Sequence, residues 1–505
     1  MGIFATLLDT ILNNFTTSLV FLVVFLLIWQ YMKPSPWHLP EHPTPWPLLG
    51  NMSVFEIGQV GDDTMFDLYQ KFKTPIMYRK FMVLHAAVLH TYELVKEVYS
   101  DDRFVDRAPT PLDEFVFKGI VDVSGPRWRE QRRFALSTLR DFGLGKNKIE
   151  RKIQEEIASG LCGELDSKDG KAFDPSNLIA IAISNMICSL VFGHRFEYKD
   201  EQFQGMVRRQ NENNVHSVWV FIGAILPLTS WLPGDLFHKK RLLSNIEELK
   251  ANIFVPEFQR HMEEFDSENI NDFMDAFIRE MKLREGSEYK DHWFTEEQLM
   301  WNIEDLFAAG TDTTTLSMKW LFLRMLHHPD VQQRVKKDIH NVIGKERIPS
   351  MKDKLDLPYI EAVLLETQRM HIIVPFSIGR SCLNDKPIEV KGYIFPPKTA
   401  FLSCNHSIHF NADHFEDPNT FNPDRFIGPD GKFQKDDHVL TFSVGKRACL
   451  GESLAKQELF LFFTALLQRY RLEVPPGEPL PSMERVPGLT VGPKPFKMCF
   501  IRDNV

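Results

Sequence analysis

The chain runs to 505 residues, 43% of them hydrophobic and 12% aromatic, with 59 basic and 68 acidic side chains and a formal net charge of −9. That content excludes a disordered chain, and the acidic balance excludes a general nucleic-acid binder, which needs broad basic surface to release counterions. The length alone suggests about two to four domains and leaves one large helical domain open.

From Phe15 to Met32 nearly every residue is apolar, and Leu19 to Trp29 carries no charge, which makes about one bilayer span. The stretch before it has no basic residue and carries Asp9, and no small-residue cleavage site follows. A retained anchor over residues 1–33 therefore fits better than a cleaved signal peptide. Lys33 at its C-terminal end places the main body in the cytosol. Pro34, Pro36, Pro40, Pro43, Pro45 and Pro47 then forbid helix, so residues 34–50 form a semi-rigid extended spacer before a globular body over 51–505. Glycosylation sequons at Asn51 and Asn405 are expected to stay bare in a cytosolic body.

Helical periodicity runs from Trp128 to Leu139, Leu178 to Phe192, Glu296 to His327, Tyr359 to His371 and Leu450 to Tyr470. Short β candidates lie near Ile76 to Val88 and Ile388 to Ile394. The expected fold is mainly α with small β-sheets (α+β). Val218 to Leu228 is strongly apolar yet too short to span a bilayer, which leaves an interfacial or pocket-roof segment and ordinary core both open. There is no internal repeat.

Cysteines stand at 162, 188, 382, 404, 449 and 499 without CxxC pairs or regular spacing, which fits reduced thiols acting as small buried hydrophobes. The 41 Phe against 10 Tyr imply much apolar aromatic surface without hydroxyls, as in a greasy interior or pocket. One cysteine departs from the rest. In Phe442-Ser-Val-Gly445-Lys-Arg447-Ala-Cys449-Leu-Gly451, the glycines allow a tight turn and Cys449 falls just before a long periodic helix. Orphan amides and the positive helix end would stabilise a thiolate there, able to bind metal, attack an electrophile or do nothing.

At these residues the sequence resembles the cytochrome P-450 superfamily, whose haem-binding loop has the pattern FxxGxRxCxG. The resemblance implies a cytochrome P-450 fold with an N-terminal transmembrane helix, haem b as cofactor, and Cys449 as the thiolate ligand of its iron. A thiolate pushes electron density onto iron and favours O–O cleavage, while amides to sulfur restrain the potential. Arg447 would pair with a haem propionate, and Phe442 would cover one side.

Ala309-Gly310-Thr311-Asp312-Thr313-Thr314 lies inside the long helix, and its glycine and threonines are poor helix formers. It is either a tolerated weak turn or a local opening of the helix where oxygen sits over a cofactor. The resemblance implies the second, with Thr313 and Asp312 as the catalytic proton-delivering pair. Glu366 and Arg369 share a helix face, a pair that is commonplace on surfaces. In the family such a pair is buried and joined by an arginine of a PxRF segment, here Pro423-Asp424-Arg425-Phe426, so Glu366, Arg369 and Arg425 take a structural role. Trp128 and Arg132 resemble the family's WxxxR helix, which reaches a propionate, and Arg380 stands where relatives place a residue with the same duty. Gly379 before it departs from the usual proline.

The nearest resemblance is to microsomal family 2. It implies a pocket lined by Phe115, Phe117, Ile120, Asn302, Leu306, Ala309, Val374, Ile378 and Leu489, fit for a lipophilic molecule entering from the membrane. Asn302 and Asp305 either offer substrate a polar handle or turn toward solvent or another helix. No GxGxxG lies between strand and helix and no GxxxxGK[ST] loop is present, so the chain brings no reductant of its own. Between Arg127 and Lys152 nine basic residues face three acidic ones. That is a solvated helix face or a docking patch for an acidic flavoprotein, and the family implies NADPH-cytochrome P-450 reductase, with cytochrome b5 as a further partner, at the endoplasmic reticulum membrane. The leading expectation is a monooxygenase that hydroxylates or epoxidises a small lipophile such as a steroid, fatty acid or xenobiotic. A reductase-independent haem-thiolate isomerase or dehydratase, and a non-catalytic haem ligand-binding protein, are the alternatives.

Overall fold

The computed structural model describes residues 19–20, 22–23, 25–26, 29, 35–46, 50–51, 61–81, 84–110, 118–142, 147–225, 233–285 and 292–503. Fifteen helices are used below: α1 Gly61–Phe72, α2 Tyr92–Ser100, α3 Gly125–Asp141, α4 Asn147–Glu155, α5 Cys162–Asp166, α6 Ser176–Val191, α7 Glu201–Ile225, α8 Lys239–Leu249, α9 Val255–Glu264, α10 Phe273–Glu285, α11 Glu296–His327, α12 Pro329–Val342, α13 Pro358–Met370, α14 Asn405–His409 and α15 Glu452–Arg469. The strands are β1 Ile76–Phe81, β2 Leu84–Leu89, β3 Asp106–Arg107, β4 Arg380–Ser381, β5 Ile388–Val390, β6 Tyr393–Phe395, β7 Ala400–Ser403, β8 Tyr470–Glu473, β9 Arg485–Val486, β10 Gly492–Pro493 and β11 Cys499–Arg502. The mainly helical expectation holds, and both β candidates fold as hairpins, β1–β2 and β5–β6.

A helix that is apolar on every side must be buried. Three helices obey this. In α6 residues Ile179–Cys188 are buried without a break, in α15 residues Gln457–Gln468, and α11 crosses both as the central rod. Thr295 caps α11 by accepting from the Gln298 amide, Glu296 and Glu297 sit in its first turn and Arg324 and His327 in its last, so both ends complement the helix dipole. One core of these helices holds most of the buried apolar side chains, and a second packs under the main sheet.

That sheet has the order β1-β2-β7-β4-β3, with β2 and β7 parallel and the other pairs antiparallel. Its register sets Arg107 opposite Arg380 and Arg380 opposite Phe401.

The proposed anchor falls mostly outside the described residues; those described between 19 and 29 are helical and exposed. Among the described residues no helix is long and apolar enough to cross a membrane. The proline-rich stretch does not stand free as a spacer. His38 stacks on Tyr393, its carbonyl accepts from the Ile394 amide at 2.8 Å, and His42 packs on Tyr78, so the stretch lies along the body. Both sequon asparagines are buried, Asn51 donating to the Pro43 carbonyl and Asn405 to the Val374 carbonyl. A glycan on either would break the fold. The apolar stretch from Val218 splits: Val220 packs on Leu242, Ile246 and Trp301, whereas Trp219 and Phe221 are exposed.

Candidate active site

Cys449 lies in a knot of short-range bonds. Its amide donates to the Phe442 carbonyl and the Ala448 amide to Gly445, each at 2.9 Å. Gly445 has φ +76°, and a Cβ there would overlap the Tyr99 carbonyl oxygen, so this glycine is required twice over. The other five cysteines are buried and all six are free, as expected, but Cys449 has open surface. The thiol is nevertheless surrounded by protein. Burial raises its pKa, and the amides of Gly451 and Glu452, together with Arg132, work to lower it. The uncoordinated sulfur is thus a thiol, and a bound metal is what converts it to thiolate.

Around this loop gather four guanidiniums. Arg447 donates to the carbonyls of Val105 (2.7 Å) and Val123 (2.6 Å) and lies 3.9 Å from the Trp128 ring centre. Arg380 donates to Ser443 Oγ at 3.0 Å and to the Val444 carbonyl at 2.8 Å, while Arg132 donates to the Ala448 carbonyl. Arg107 was not anticipated. It donates to the carbonyls of Val121 (2.9 Å) and Ile378 (3.1 Å), and no local motif marks it, since β3–β4 pairing brings it here. Among the described residues only Asp122, 3.6 Å from Arg107, forms an ion pair with any of the four. Burial, then repulsion from Arg107, pushes Arg447 down to about 8, and burial lowers Arg380 to about 10 despite Tyr99. A guanidinium stays protonated in proteins, so such depression marks an unmet demand for anions. Among the described residues the buried Trp128 Nε1 and Arg380 Nε find no acceptor. A flat cofactor with two carboxylates and a metal facing Cys449 meets both demands, so the residues fit haem.

The distal candidates sit on α11. Leu306, Ala309, Gly310 and Thr313, spaced i, i+3, i+4, i+7, form a partly open strip on a helix whose neighbouring positions Phe307, Thr311, Asp312 and Thr314 are buried. Thr314 Oγ1 donates to Glu458 of α15 at 3.3 Å, tying this turn to the helix that follows Cys449. The expected opening of the helix is absent: α11 is continuous through Ala309–Thr314. Packing explains it: Gly310 admits Ile187 of α6 where a Cβ would collide, and the helix stays closed even though Thr313 Oγ1 donates to the Ala309 carbonyl at 2.8 Å, one turn back. Among the described residues the buried Asp312 Oδ1 finds no partner, and burial raises its carboxyl to about 7.

Asn302 takes the second of its two readings. It is fully buried, donating to Gln131 Oε1 at 2.7 Å and accepting from Gln298 Nε2 at 2.8 Å, so it joins α11 to α3 with both polar atoms engaged inside the protein. Asp305 likewise accepts from the Val121 amide at 2.7 Å. Ile120 lies in the main core, Val374 is half-buried, and Ile378 and Leu489 are exposed. Phe115 and Phe117 lie outside the described residues. Phe442 is half-buried. Glu366 and Arg369 are fully buried and pair twice, at 2.7 and 2.8 Å, and Arg425 reaches Glu366 at 3.1 Å. His409 carries the network to the cysteine segment, its Nδ1 meeting the Arg369 carbonyl and its Nε2 accepting from the Leu440 amide.

The family model "Cytochrome P450", written here P-450, matches residues 40–500. The chain belongs to the cytochrome P-450 family. Its relatives are of microsomal family 2: cytochrome P-450 2C25 of Mesocricetus auratus is 35% identical over 95% of this chain and 97% of its own. Cytochrome P-450 2C16 of Oryctolagus cuniculus is 36% identical over 92% and 94%, and human cytochrome P-450 2J2 is 35% identical over 96% of each. As a P-450 the chain is a monooxygenase that uses a cysteine-ligated haem.

Proposed function

We propose that this P-450 inserts one oxygen atom from O2 into a small lipophilic molecule, by hydroxylation or epoxidation, with electrons from NADPH through a membrane-bound reductase. The carrying observation is the open strip of α11 with buried Asp312 behind it, on the helix packed against the one that Cys449 precedes. Bound haem supplies oxygen activation, favoured by the thiolate's electron donation. Cys449 would hold the iron, and the amides of Gly451 and Glu452 would restrain charge on its sulfur. Arg107, Arg132, Arg380, Arg447 and Trp128 Nε1 would hold its carboxylates. Asp312, its carboxyl raised by burial to about 7, can hold a proton behind the open strip, and Thr313 carries a hydroxyl within that strip. Leu306, Ala309, Val374, Ile378 and Leu489 supply an apolar wall that excludes water.

Arg129, Arg133, Arg140, Lys148 and Arg151 are exposed, and no ion pair is seen for any of them among the described residues, which suits docking of an acidic flavoprotein. The membrane anchor over 1–33, a proline-rich hinge over 34–50 packed along the body, and residence in the endoplasmic reticulum complete the reading. The test is a screen of steroids, fatty acids and apolar xenobiotics for spectral shift, followed by product identification with NADPH and reductase. Oxygenated product that requires both supports the proposal; turnover without reductase, or ligand binding without turnover, refutes it. Cys449→Ala should abolish the reduced carbon-monoxide band of thiolate haem.

A further inference from the structure

We propose that His414, Asp436 and His438 form a binding site for a divalent transition ion of the zinc class, on the surface beside α2 and apart from the haem. His414 Nε2 lies 2.7 Å from Asp436 Oδ2, and His438 Nδ1 lies 3.1 Å from Asp436 Oδ1. One ligand atom from each residue falls within 4.8 Å of the others. The two imidazoles stack at 3.6 Å between centroids, so both rings present nitrogen to one carboxylate. Zinc bonds of about 2.0–2.1 Å set tetrahedral ligand atoms roughly 3.3 Å apart, so an ion enters when the His414 contact opens by about 0.6 Å and the His438 contact by about 0.2 Å.

Two further observations point to a cation. His438 Nε2, the nitrogen left over when Nδ1 binds metal, lies 3.4 Å from Glu93 Oε1. That is the outer carboxylate that fixes a ligating histidine's tautomer and strengthens it as a ligand. A cavity of about 200 Å³, lined by Tyr92, Glu93, Asp413, His414 and His438, leaves room for the ion and its water. Among the described residues neither Asp436 nor Glu93 pairs with a lysine or arginine; Lys435 goes to Asp437 instead. Two carboxylates and two neutral imidazoles around a divalent ion make a neutral site, and this donor set selects zinc, copper or nickel over calcium or magnesium. The ion clamps the segment after α14 to the segment that leads into the cysteine loop.

The test uses the haem-loaded full chain, stripped with chelator and dialysed against zinc. One equivalent is expected to bind, with a zinc-dependent rise in thermal midpoint. His414→Asn and, separately, Asp436→Asn should weaken binding at least about tenfold and remove the rise. Glu93→Gln should weaken it less. Each variant must keep the wild-type carbon-monoxide band, which shows that it is folded. His238→Asn, at another stacked histidine pair, should leave the isotherm unchanged. No saturable zinc below about 100 µM in the wild type, unchanged affinity in both site variants, or loss of zinc in His238→Asn overturns the proposal.

Discussion

Replacing Glu366 by glutamine removes one charge and keeps the shape. In the native chain the carboxylate accepts from Arg369 Nε and Nη2, from Arg425 Nε and from the Asn422 amide. Glutamine offers one oxygen and turns an NH2 toward a guanidinium that can only donate, and Arg369 has no exposed surface through which water could compensate. Breaking a buried pair from one side costs about 3–5 kcal/mol, which is roughly two to nearly four orders of magnitude in the folding equilibrium. The loss should appear where His409 carries the network to Leu440, two residues before the haem loop. Guanidinium titration followed by the reduced carbon-monoxide band is therefore expected to collapse at much lower denaturant than in wild type, ahead of the helical circular dichroism. A midpoint change worth less than about 1 kcal/mol would show that the buried triad does not hold the loop.

Gly445→Ala should give little haem-loaded protein, because the side chain meets the Tyr99 backbone and φ is +76°; normal haem content would contradict the geometry. Asp312 binds its proton more tightly folded than unfolded, so its stabilisation is complete below about pH 4 and lost as pH rises through about 7. The change is worth up to about 4 kcal/mol. Asp312→Asn should lose that slope in unfolding midpoints measured across pH, and its product per NADPH should fall; parallel pH profiles would remove the raised carboxyl. Arg129→Glu with Arg133→Glu should cut reductase-supported turnover about tenfold and weaken its salt dependence, while the band obtained with a chemical reductant stays intact. Equal loss in both assays would point to misfolding.

What the sequence reveals here depends on how local the signal is. The Cys449 loop is legible because its turn, ligand and helix start lie within ten residues, and the buried triad because its spacing repeats a known pattern. Arg107 is illegible because only strand pairing brings it to the loop. Gly310 and Thr313 suggested an open helix, since propensity cannot see Ile187 filling the glycine's space. Asn302 reads as a pocket residue by position, and only the facing helix, through Gln131, shows where its amide goes. His414 and His438 are 24 positions apart and join no motif.

The antiparallel register that sets Arg107 across from Arg380 has a consequence for the making of the protein. Like charges opposed across a ladder repel, and Arg132 and Arg447 add to them within the same buried space. A newly synthesised chain meets that repulsion whenever its sheet edge and cysteine loop come together without an anion between them. Carboxylates of the prosthetic group would relieve that repulsion, so haem loading is expected to favour closure of this end of the molecule.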